Sequence, residues 1–212
     1  MDSQRDALCV LDASQNACRH LLCAVWVGHS GEDHTRRLED ESSHSFASCC
    51  TDAQNLQRAG KVGNVPVTVH SGVPRAEQVR ECAKKEKTLL VLDDLLVGIS
   101  QQYLDALFTR GSHNWGVSVI LVTQHLFNKE LRVARTNSHY LLLMRNPAGA
   151  LQIRTIATHL FPSRTAHFIE AYRDACAKNF GYLLMDMHPE TPEEMRLRTN
   201  IYEQKQIVYM PK

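Results

Sequence analysis

The stretch TLLVLDD (residues 88–94) decides how this chain is read. Four aliphatic side chains, Leu89 to Leu92, follow one another without a polar break and then meet Asp93 and Asp94. Successive side chains of a strand point to opposite faces, so an unbroken aliphatic run marks a strand covered on both sides. The two carboxylates then fall at its C-terminal end, where open α/β sheets bind their ligands.

Working outward, a second run of the same kind, VSVILVT (117–123), ends at Gln124. Between the two runs, residues 97–110 place Ile99, Tyr103, Ala106 and Leu107 at helical spacing, with Gly111 expected to close the helix. Downstream, 139–144 reads as a strand and 151–160 and 163–177 as helices separated by Pro162. Residues 180–187 form another strand and 195–202 an edge strand. Upstream, LLCAVWVG (21–28) is a buried strand, 45–50 a weaker one, VPVTVH (65–70) an alternating one, and 74–85 a polar helix opened by Pro74. Strands and helices alternate along the chain, which predicts a doubly wound, mostly parallel α/β sheet.

With 212 residues, 43% of them apolar and 22% charged, the chain suits one folded domain. The expected division is an N-terminal extension over 1–20 and a single domain over 21–212. No apolar run approaches the roughly 18–20 residues that span a bilayer, and the first twelve residues lack the order of a secretion signal. An intracellular protein with no membrane partner is expected. Seven cysteines without a C-x-x-C pair fit free thiols better than disulfides or zinc. The net charge of +1 hides an asymmetry. Residues 1–60 carry five Lys/Arg against nine Asp/Glu, and the remainder nineteen against fourteen. A balance so mild does not itself mark a nucleic-acid binder.

Several residues stand out as candidates. Asp93 offers the hard oxygen ligand that Mg²⁺ requires. Asp94 stands where a base or water-orienting carboxylate belongs, and Gln124 where an amide can sense a γ-phosphate. The competing reading is that Asp93 caps the next helix and that Gln124 is a loop polar group. The strict phosphate-loop pattern G-x-x-x-x-G-K-[ST] is absent. Directly after LLCAVWV, however, GHSGEDHT (28–35) keeps Gly28, Gly31 and Thr35 in that register, with Asp33 for the second glycine and His34 for the lysine. Asp33 opposes a phosphate by roughly 1 kcal/mol in water and roughly 4 at an effective dielectric of 20. His34 is mostly neutral at pH 7. Arg110, Arg132 and Arg135 are cations that could reach a neighbour's nucleotide, each weighed against a solvated helix-end role.

LLVLDDLL, LFTRGSH, VSVILVTQHLF, ARTNSHYLLLMRNP and FGYLLMDMHPETPEEMRLRTNI together resemble the FtsK/HerA-type viral DNA-packaging ATPases, in the poxvirus-like form of adintoviruses and Polinton-type elements. The resemblance spans residues 65–201. It implies an ASCE-class P-loop fold from a virus, a mobile element or an endogenised copy. It also implies ATP and Mg²⁺ as cofactors, double-stranded DNA as partner, and a homo-oligomeric ring. Carried over residue by residue, it makes Asp93 the Mg²⁺ ligand, Asp94 the base, Gln124 the strand-end glutamine and Arg135 a finger. Gly28, Gly31, His34 and Thr35 then lie in the phosphate loop. Two functions stay open: an ATP-driven DNA translocase, and a pseudo-ATPase that keeps the fold as an interaction or DNA-binding module.

Overall fold

The computed structural model describes residues 23–27, 44–50, 61–62, 65–85, 87–93, 98–201 and 203–211, with side chains from residue 70 onward except Ser71, Lys87 and Ser112. The protein is α/β. Its described residues divide into two compact units, 26–122 in one and 123–212 with 23–25 in the other.

The first unit holds β2 (His44–Cys50), β3 (Lys61–Val62), β4 (Val65–Ser71), β5 (Lys87–Asp93) and all but the last residue of β6 (Val117–Thr123); β1 (Cys23–Val27) is divided between the units. Here the order is β6-β5-β2-β4-β3. β4, β2, β5 and β6 run parallel, and β3 is antiparallel to β4. The doubly covered strand expected at TLLVLDD is found: Leu90 and Leu92 are fully buried and Val91 nearly so. Its neighbour β6 buries Val117, Val119, Ile120, Leu121 and Val122.

Helix α1 (Ala76–Lys85) opens with the Arg75 amide donating to the Gln78 side chain at 3.0 Å. Glu77 stands in its first turn and Lys84 and Lys85 in its last, matching the helix dipole. Helix α2 (Gln101–Ala106) is capped by Ser100, whose hydroxyl accepts from the Tyr103 amide. It does not stop at Gly111. The chain widens into a π-helical turn over Leu107–Gly111 and continues through the short α3 (Ser112–Asn114). Gly111 keeps right-handed helical angles, and a Cβ there would meet the Trp115 ring at 3.3 Å. It is a packing glycine, not a terminator. The left-handed position that releases the chain into β6 is Gly116, at φ +70°. Arg80 of α1 lies over the Trp115 ring, 4.2 Å from its centroid.

The second unit departs from the expected parallel order. After α4 (Arg132–Thr136), β7 (Tyr140–Met144) is followed by α5 (Ala150–Leu160), α6 (Thr165–Ala175), β8 (Tyr182–Asp186), β9 (Leu197–Thr199) and β10 (Ile207–Val208). Each neighbouring pair from β7 to β10 is antiparallel. A single crossover helix carries the chain back to start a parallel strand. Here two helices joined by the short link Pro162–Arg164 stand between β7 and β8, so the chain returns to the end it left and β8 runs back. The helices bury Ile153, Ile156, Phe168, Ala171 and Ala175, with Phe161 stacked on Phe168 at 5.5 Å. β9 lies where an edge strand was expected, but β10 pairs outside it. Buried Asp186 meets the Arg198 guanidinium at 3.2 Å and accepts from the His188 amide at 3.0 Å.

Among the described residues, no helix is long and apolar enough to cross a membrane.

Candidate functional site

In the first unit the parallel strands end together. Ser71, Cys50, Asp93 and Val122 share one register across β4, β2, β5 and β6. Asp93 is the charged member of that row, and it is 8% exposed. A carboxylate at the covered end of an aliphatic strand is costly to hold ionised unless it is paired, hydrogen-bonded or bound to a cation. The alternative reading of Asp93 as the cap of the following helix does not hold for α2, which is capped by Ser100.

Gln124 follows β6 directly, two residues past the partner of Asp93, and is half-buried in a bend. The chain after it is firmly held. The Thr123 hydroxyl accepts from the His125 amide at 3.1 Å, Leu126 is fully buried, and the Asn128 amide donates to the His125 carbonyl. Arg135 completes the anchorage. It donates to the Leu126 carbonyl at 2.7 Å, and its guanidinium lies 4.7 Å from the Phe127 ring centroid. Burial, and then the neighbouring Arg132 charge, lower its pKa. In this chain Arg135 therefore braces the loop that begins at Gln124.

Arg110 is exposed at the end of the π-helical turn, and Arg132 is exposed at the start of α4. Asp94 and the loop residues Gly28, Gly31, Asp33, His34 and Thr35 lie outside the described residues.

Among the described residues, no group of three or more His, Cys, Asp or Glu converges. Mg²⁺ keeps much of its water and binds through one or two carboxylates, so a strand-end carboxylate such as Asp93 is a donor of the right kind. The bracing role of Arg135 was not foreseen from sequence. Its signal, an arginine nine residues after the buried Leu126 and eight after the half-buried Phe127, is intelligible only once the loop is seen to turn back. No family model, no curated protein and no solved structure matches this chain.

Proposed function

We propose that this chain is a packaging-ATPase-like P-loop domain of doubly wound, ASCE type, with Asp93 as its Mg²⁺-coordinating acid. The observation that carries the reading is the position of Asp93: buried, in register with the ends of its parallel neighbours, and not the cap of α2. Asp93 would hold Mg²⁺, which when bound would neutralise developing charge on phosphate oxygens. Asp94 is the residue to take a proton from attacking water, and Gln124 the one to orient it. Gly28, Gly31 and Thr35 would supply the phosphate loop, and double-stranded DNA and a ring of identical chains are the partners this reading entails.

A second reading is favoured by one sequence observation: Asp33 and His34 stand where the loop needs glycine and lysine. The site then loses attraction and gains repulsion, and the fold persists as a pseudo-ATPase. ATP hydrolysis with Mg²⁺, measured on the purified chain and on Asp94→Asn, separates the two. Turnover that Asp94→Asn abolishes supports the enzyme. Equal background in both leaves the pseudo-ATPase.

A further inference from the structure

We propose that the second unit carries a phosphate-binding cleft built on Arg145 and Arg173. The two arginines line a depression of about 260 Å³ together with Tyr172, Cys176 and Ala177. None of its lining residues was a candidate from the sequence, and it does not depend on residues 28–35.

Three features make this more than two surface arginines. First, the cleft is held in shape. The Tyr172 hydroxyl donates to the Met144 carbonyl at 3.0 Å and accepts from the Asn146 amide at 3.3 Å. Those groups flank Arg145 on both sides, so one phenol pins the backbone of Arg145. The next residue on α6 is Arg173 itself, so the same strut sets both cations. Second, Arg145 is fastened further along the chain. The Asn146 side chain accepts from the Ala148 and Gly149 amides at 2.8 and 3.1 Å, and the Cys176 thiol donates to the Leu143 carbonyl at 3.7 Å.

Third, none of the described residues that line the cleft is acidic. Both arginines are exposed, and neither has an ion pair among the described residues. The two titratable groups beside them are neutral at pH 7: burial raises the Tyr172 phenol and pushes the Cys176 thiol up to about 11. Two guanidiniums on a prearranged frame suit a phosphate group, which accepts their planar donor pairs. A frame fixed beforehand spares the entropy of ordering on binding.

The phosphate could come from a nucleic-acid backbone or from a free phosphate compound. The test titrates the full chain with inorganic pyrophosphate and with a short fluorescent DNA duplex over a range of salt. It compares the parent with Arg145→Gln/Arg173→Gln, with Tyr172→Phe, and with Arg154→Gln, an exposed arginine of α5 outside the cleft. The double variant is expected to weaken binding and, with the duplex, to reduce the salt slope by about 1, for the one phosphate that is no longer neutralised. Whichever probe shows this loss names the source. Tyr172→Phe keeps both charges, so it is expected to weaken binding with the slope unchanged. Unaltered affinity of the double variant for both probes overturns the proposal. So does an equal loss in Arg154→Gln, which would reduce the effect to general surface charge.

Discussion

Gly181 joins α6 to β8, and replacing it with alanine is expected to destabilise the chain through sterics alone. A Cβ at Gly181 would press into the Ala175 carbonyl oxygen, and would lie 3.0 Å from the Lys178 carbonyl and 3.1 Å from the Cys176 Cα. All three neighbours are backbone, so no side chain can swing aside. The Gly181 amide also donates to the Lys178 carbonyl at 3.1 Å, which ties the turn shut. Overpacking of this kind costs typically 1–3 kcal/mol, and an immovable backbone on three sides puts the cost at about 3. A chain of this length loses about 2–4 °C of Tm per kcal/mol, so about 6–12 °C is expected. The comparison is Gly116→Ala. There nothing lies within 4 Å of a Cβ, and the strain comes from φ +70° alone. That conformation costs an alanine roughly 1–2 kcal/mol. Thermal unfolding followed by far-UV circular dichroism reads both. A Gly181→Ala melt within a degree of the parent, or milder than that of Gly116→Ala, would refute the reasoning.

Phe168→Ala, which empties a fully buried site stacked on Phe161, is expected to cost about 3–5 kcal/mol in urea denaturation; Phe180→Ala, at a 66% exposed ring, should stay within about 0.5. Burial raises the Tyr182 phenol to about 12 from its ordinary 10.0. Above pH 10 the unfolded chain releases this proton while the folded chain keeps it, so stability is level below pH 10 and falls as pH rises towards 12. Denaturation midpoints at pH 8, 10 and 11 check this, with a shallower decline expected in Tyr182→Phe. A thiol reagent at pH 8 should modify exposed Cys82 quickly and buried Cys176 only on unfolding, as read by peptide mass mapping. Arg135→Ala is expected to speed hydrogen exchange at residues 125–128, since the Leu126 carbonyl loses its donor and Phe127 its cation; Arg135→Lys should restore little of the stacking.

The strands of the first unit were legible because burial on both faces leaves an unmistakable aliphatic run, as at Leu89–Leu92 and 117–123. The end of α2 was misread because Gly111 looks like a terminator, whereas its missing side chain makes room for Trp115. The antiparallel half was present in the sequence as two helices, 151–160 and 163–177, standing between two strands, yet alternation alone suggested parallel order. β10 is two residues long and carries no periodicity to detect. Asp93 and Gln124 announce themselves because each ends a buried strand. Arg145, just after β7, and Arg173, on α6, stand 28 residues apart, and only the fold of the second unit sets them beside one cleft.

The reading of Asp93 as a Mg²⁺ acid behind a degenerate phosphate loop is tested most directly by one titration. Mg²⁺·ATP affinity is measured by calorimetry for the parent, for Asp33→Gly/His34→Lys, and for that double change combined with Asp93→Asn. Restoring the loop removes a repulsion of roughly 1–4 kcal/mol and adds a fixed positive charge. Binding should therefore tighten about tenfold or more, and the gain should shrink when Mg²⁺ is withheld or Asp93→Asn is added. Equal affinity in the parent and the loop variant would contradict residues 28–35 as the phosphate loop. A gain indifferent to Asp93 and to Mg²⁺ would contradict the strand as the metal site.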